Sequence, residues 1–197
     1  MTDEINRPGF DQKMTAEEIN TRPIASYDGA VHIIRTAAEL ENAVAELCRE
    51  AVLGFDTETK PAFQKGETNP ISLIQLAGAR AVYIIQLKHV SPSAQLGQLL
   101  SDRHIIKAGI DVKQDITKLK KNIDCDYKGF VDVSQLAKDA GIKNFSMRGL
   151  AAVLLGVRIA KSMQVSNWAR STLLPSQIKY AATDAWISRE IYMRLKK

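Results

Sequence analysis

The stretch Gly54–Thr59, GFDTET, decides the reading of this chain. It continues an apolar run that begins at Val52 (VLGF) and then interrupts it with two acids, Asp56 and Glu58. A run of this kind, rich in branched and aromatic side chains, predicts a buried strand over Val52–Thr57. Residues two apart on a strand share a face, so Asp56 and Glu58 project together and Thr57 turns away. Burying two carboxylates without partners costs several kcal/mol. A pair of divalent cations is the economical compensation, because hard cations take oxygen ligands.

Two further acids stand in comparable places. Asp115 lies in AGIDVKQDITKL (Ala108–Leu119), at the start of an expected helix over Val112–Lys121. Asp184 lies in YAATDA (Tyr180–Ala185), four residues after Tyr180 in an expected helix over Ser176–Lys196. Positions four apart share a helix face, so a phenol and a carboxylate are presented side by side. Each segment alone has a plainer reading: acids that end a strand in water, Asp115 paired with Lys118, or a core tyrosine beside an exposed aspartate. Their conjunction, in this order, is what carries information.

Around these segments the pattern is that of a mixed α/β protein. Strands are expected over Ala30–Arg35, Ser72–Leu76, Val82–Leu87, His104–Ala108 and Gly129–Val131, the second and third joined by a turn at AGAR. Helices are expected over Ala37–Arg49, Ser93–Ser101, Val133–Ala140 and Ser146–Leu155. Thr36 and Glu39 have the spacing of a capping box for the first of these. Strands clustered early, helices late and alternation between them predict a mixed central sheet flanked by helices. Residues 1–28 are polar, hold Pro8, Gly9 and Pro23, and read as a flexible tail with a possible helical turn near TAEEIN.

The chain has 197 residues, 45% hydrophobic and 25% charged, which suits one globular domain. No apolar run approaches the roughly 20 residues of a membrane span, and the acidic N-terminus is not that of a secretory signal. Cys48 and Cys125 have no CxxC partner, and the three histidines are scattered. The expectation is a reduced, cytoplasmic protein with no membrane contact and no His/Cys zinc site. The net charge is +5, and Ala140–Thr183 contains six basic residues and no acid. A basic stretch leading into Asp184 suits a polyanion approaching a metal site.

The residues FDTETKP, KAGIDVKQDITKL and YAATDA together resemble the three motifs of the DEDD superfamily of 3′–5′ exonucleases, in the subgroup with tyrosine in the third motif. The likeness runs from about Ala30 to Leu195 and includes SNWA (Ser166–Ala169). It is strongest to the Werner-type exonuclease domains, with RNase D next. It implies an RNase H-like (DnaQ-like) fold and an exonuclease domain over residues 29–197. It implies that Asp56, Glu58 and Asp184 hold a cation that activates water. Asp56 would bridge to a second cation supported by Asp115, and Tyr180 would contact the attacking water. Two Mg²⁺ or Mn²⁺ ions are the implied cofactors. The second motif holds both Asp111 and Asp115, and the family's spacing from Gly109 selects Asp115.

The implied reaction releases nucleoside 5′-monophosphates from a nucleic-acid 3′ end. DNA is favoured by the proline after the first acid pair and by the absence of room for the added helical domains of RNase D. An RNase D-like 3′ ribonuclease and a catalytically silent nucleic-acid-binding module are the alternatives. Arg148, Lys161 and Arg170 are candidate phosphate contacts. Phe63 and Gln64, in the Lys60–Pro70 loop, are placed to meet the terminal nucleotide, whereas Trp168 is expected in the core.

Overall fold

The computed structural model describes residues 13–62, 68–160 and 162–197. Its sheet is built outward from the predicted hairpin. Strands β1 (Ala30–Ile34), β2 (Val52–Thr59), β3 (Ile71–Ala77), β4 (Ala81–Gln86), β5 (Ile106–Gly109) and β6 (Phe130–Asp132) lie in the order β1-β4-β3-β2-β5-β6. β2, β3 and β4 are antiparallel neighbours, while β1 on β4 and β5 and β6 beyond β2 pair in parallel. β2, with its acids, is therefore an interior strand between β3 and β5.

Helices cover both faces, as expected. One face buries Leu40, Val44 and Leu47 of α2 (Ala37–Leu47), Leu96, Leu99 and Leu100 of α3 (Ala94–Ser101), and Leu119 of α4 (Val112–Leu119) against the sheet. α1 is the short helix Ala16–Asn20. The other face carries α5 (Val133–Asp139), α6 (Met147–Leu150) and the long α7 (Pro175–Leu195), which crosses the central strands. Thr36 and Glu39 form the capping box of α2: Glu39 N–H donates to the Thr36 hydroxyl, and Thr36 N–H to the Glu39 carboxylate. Pro175 opens α7, where its fixed φ and missing N–H cost nothing. Leu53 and Phe55 are fully buried on β2, and each contributes about 2 kcal/mol by burial.

Two expectations change. The helix read over Ser146–Leu155 is α6 followed by a wider π turn, Ala151–Leu155, which Gly156 ends in the left-handed region at φ 70. The sequence pattern is apolar throughout and contains no mark of the wider turn. The second concerns the polar segment read as a tail. Its described part, residues 13–28, docks on the domain. Ile19 of α1 is buried, and Met14 and Asn144 exchange two hydrogen bonds. Ala25 N–H donates to Arg158 O, and Arg158 N–H to Pro23 O. Tyr27 N–H donates to the Thr183 hydroxyl on α7. The polarity of this segment is spent on backbone and side-chain partners, a use that composition does not distinguish from solvation. No helix among the described residues is long and apolar enough to cross a membrane.

Candidate active site

β2 leaves the core at its C-terminal end. Leu53, Gly54 and Phe55 are buried, and Asp56 to Thr59 keep partial access to solvent. α7 packs directly against this strand. A methyl added at Gly54 would lie 1.9 Å from the Ala185 carbonyl oxygen, so only glycine permits the approach. Ala181, Ala182 and Ala185 keep the facing side of the helix slim and fully buried. This close contact brings Asp184 to the pair on β2: Asp56, Glu58 and Asp184 each place a carboxylate oxygen within 4.8 Å of the others.

Tyr180, one turn before Asp184, donates its hydroxyl to the Asp184 carboxylate. Its ring centroid lies 5.9 Å from that of Trp168, which is 1% exposed. The indole is thus in the core, as expected, and forms the wall that sets the Tyr180 ring. Asp115 sits in the first turn of α4 and accepts a 2.7 Å hydrogen bond from the Thr57 hydroxyl. Thr57, expected merely to turn from the acid pair, is the residue that holds the fourth carboxylate. Asp111 is different. It is exposed, stands in the left-handed conformation at φ 53 where β5 turns into α4, and makes no side-chain cap. Aspartate tolerates that conformation better than most side chains, so Asp111 serves the turn.

The electrostatics are those of crowded, poorly solvated anions. Burial pushes the Asp56 carboxyl well above the usual range, and the charges of Asp184, Glu58 and Asp115 push it further. Glu58 is pushed up to about 8 by burial and by Asp184 and Asp115, against a lowering by Lys118. Burial raises Asp184 to about 7, opposed by the Tyr180 hydrogen bond. Asp115 is raised to about 6 by burial, with Thr57 and Lys118 opposing. Burial and the same acids raise the Tyr180 phenol, so it stays protonated across the neutral range.

None of the ion pairs among the described residues involves these acids. Across the β2–β3 ladder from Asp56, Gln75 is fully buried, and neither end of its amide has a partner among the described residues. Uncompensated carboxylates at close range and an orphaned amide beside them fit a hard divalent cation, with Asp56, Glu58 and Asp184 as its ligands.

The acids line one side of a cleft of about 340 Å³. Ile110, Met147, Ile159, Gln164 and Arg148 belong to the rest of its wall, with Thr57, Ser146, Ala160 and Tyr180. Arg148 therefore reaches the cleft, and its guanidinium is bonded to the Asn20 side chain of α1. Arg170 does not line it. Arg170 is exposed, and its carbonyl accepts from Gln86 at the end of β4. By register that end is two strands from Glu58, roughly 10 Å away. Phe63, Gln64 and Lys161 lie outside the described residues. Ile110, Met147 and Gln164 escaped the sequence reading. Two are apolar residues that read as core, and Gln164 sits in a segment with no periodicity.

Comparison with known proteins agrees with this geometry. The sequence model of a family described as 3′-5′ exonuclease matches residues 31–197. The bifunctional 3′-5′ exonuclease/ATP-dependent helicase WRN of Mus musculus is 32% identical over 150 residues. That match takes in 73% of this chain, which spans only 11% of the mouse protein's length. Among solved structures, the Nibbler EXO domain of Aedes aegypti superposes with a TM-score of 0.80 at 26% identity, covering 87% of this chain and 91% of that one. Escherichia coli RNase D superposes with a TM-score of 0.75 at 19% identity, over 84% of this chain and 45% of its own, and shares the fold. A mixed RNase H-like sheet, the acids gathered at its centre and a match over nearly the whole described domain place this chain in the 3′–5′ exonuclease family.

Proposed function

We propose that this chain removes nucleotides singly from the 3′ end of DNA. Two divalent cations, Mg²⁺ or Mn²⁺, would be held by Asp56, Glu58 and Asp184, with Asp115 supporting the second. The observation that carries the reading is the meeting of three carboxylates within 4.8 Å, none of them in an ion pair among the described residues. Bound there, the cations supply Lewis acidity toward water and positive charge toward the scissile phosphate.

The chain's own groups do the rest. Tyr180 keeps its proton, so it orients water and Asp184 by hydrogen bonding and does not act as a base. Thr57 fixes the Asp115 carboxylate. Arg148 offers a guanidinium on the cleft wall to a phosphate oxygen. Ile110, Met147 and Ile159 supply apolar surface for the sugar and base of the terminal nucleotide.

The test is side-by-side digestion of a 3′-recessed DNA duplex, single-stranded DNA and single-stranded RNA, with Mg²⁺ or Mn²⁺ and with chelator. The expected result is stepwise shortening of DNA with release of nucleoside 5′-monophosphates, abolished by chelator and by Asp56→Ala. Faster loss of RNA than of either DNA would select the ribonuclease reading. Degradation of none of the three would overturn the enzyme reading and leave a binding module.

A further inference from the structure

Thr59 and Lys60, which follow Glu58 in the chain, line a second cavity, of about 450 Å³. It is framed by Thr59 at the end of β2, the residues on either side of the following loop, and the C-terminal end of α4. Its lining contains Lys60, Lys118 and Lys121 and, among the described residues, no acid. None of the three lysines has an ion pair among the described residues. Lys118 is half-buried, while Lys60 and Lys121 are exposed. The rim is braced by the Asn69 amide, which donates to the Pro61 carbonyl. Lysines that line one concave wall and have no ion pair among the described residues repel one another, so an anion stabilises the arrangement.

The position of the cavity says which anion. α4 carries Asp115 in its first turn and Lys118 at its end, and the chain keeps turning through Lys121. At a rise of 1.5 Å per residue, Lys118 stands about 4.5 Å and Lys121 about 9 Å farther along the axis than Asp115. Lys118 is close enough to the reaction cleft to lower the pKa of both Glu58 and Asp115. The acids and the lysines are therefore neighbours on two elements: Lys60 follows Glu58 at the end of β2, and Lys118 follows Asp115 by one turn of α4. The acids suit cations at the scissile bond, and the lysines beside them suit the adjoining phosphates.

We propose that Lys60, Lys118 and Lys121 form a phosphodiester-binding pocket that grips the nucleic-acid strand beside the reacting nucleotide. This rests on the exonuclease reading for its substrate, and it moves the main grip from the basic stretch Ala140–Thr183 to the end of α4. Each lysine that meets a phosphate releases condensed counter-ions. Affinity for single strands then falls with salt by about 0.7 in slope for every contact.

The test uses the full chain with chelator present, so that no strand is cut. Binding of a labelled single-stranded DNA oligonucleotide is followed by anisotropy across a range of salt. The double variant K118Q/K121Q is expected to lower the slope of log K against log salt by about 1.4, and K121Q alone by about 0.7 with its melting temperature unchanged. Lys121 is exposed, so K121Q reads out the pocket even if the double variant folds poorly. Slopes equal to wild type in both would overturn the proposal. A second arm adds inorganic phosphate at constant ionic strength. Phosphate that stabilises wild type but not the variants, with slopes unchanged, would mark a free-phosphate site and also overturn it. Digestion of the same oligonucleotide with Mg²⁺ is scored separately. Failure of wild type there counts against the exonuclease reading, whereas the salt slopes judge the pocket alone.

Discussion

Replacing Glu58 with glutamine should stabilise the metal-free protein. Glu58 lies within the carboxylate cluster and is pushed up from 4.5 to about 8, so the folded state resists its ionisation. A carboxyl whose folded pKa lies above its unfolded value exacts no penalty below 4.5. The penalty grows as pH rises and is complete above 8. Each pH unit adds about 1.4 kcal/mol, giving a ceiling of about 3 kcal/mol at pH 7. Side-chain relaxation and the partial access of water to Glu58 reduce this to about 1.5 kcal/mol. In a domain of this size that is about 3–6 °C in melting temperature.

The assay is thermal unfolding of wild type and Glu58→Gln in chelator from pH 4.5 to pH 8. The variant's advantage should be absent at the acid end and largest at the alkaline end. With saturating Mg²⁺ or Mn²⁺ the order should reverse. A cation at 100 times its Kd stabilises wild type by about 2.7 kcal/mol, and the variant has lost a ligand. A variant that melts at or below wild type in chelator at pH 8 would refute the idea that the cluster is electrostatically frustrated.

Gly54→Ala forces α7 off β2, because the new methyl meets the Ala185 carbonyl oxygen at 1.9 Å. It should cost about 3 kcal/mol in urea unfolding and, by displacing Asp184, at least about 10²-fold in rate; near-native values for both would show that the contact yields easily. Thr57→Val removes the hydrogen bond that holds Asp115 and should weaken cation binding or turnover about 10- to 100-fold, measured by titration calorimetry and by single-turnover digestion. Tyr180→Phe should lower the rate by about 10²-fold while the cation requirement persists, and wild-type turnover would remove the hydroxyl from the reaction. Because the phenol is raised above its ordinary value, the wild-type pH–rate profile should show no limb from it below pH 10.

What the sequence made legible was local. The i,i+2 spacing of Asp56 and Glu58 and the i,i+4 spacing of Tyr180 and Asp184 are fixed by strand and helix geometry, and both pairs stand as the spacing requires. The hairpin of β3 and β4 and the capping box of Thr36 were readable for the same reason. What was not legible depends on contacts between distant segments. Thr57 and Asp115 are 58 residues apart, and only the pairing of β2 with β5 brings α4 near the strand. The need for glycine at position 54 depends on α7 lying across β2, a contact between segments about 130 residues apart. Lys118 read only as a pairing partner for Asp115, because sequence does not reveal that it and Lys121 converge with Lys60. Of the described basic residues in the stretch before Asp184, only Arg148 forms part of the cleft wall, because which of them face the cleft depends on how α6 and α7 pack.

The docked segment at residues 14–28 alters what counts as the working unit. A cut at residue 29, where composition suggests a boundary, would leave β2, α4 and α7 whole. It would also remove the Asn20 oxygen that steadies Arg148, the Arg22 and Pro23 carbonyls bonded to Arg158, and the Tyr27 amide bonded to Thr183 beside Asp184. Such a shortened protein would keep its chemistry and lose the frame around it. Its failure to hold a strand could then be mistaken for a narrow substrate preference. Any dissection of this domain should therefore begin upstream of Met14, so that the fifteen residues that look expendable stay with the cleft they brace.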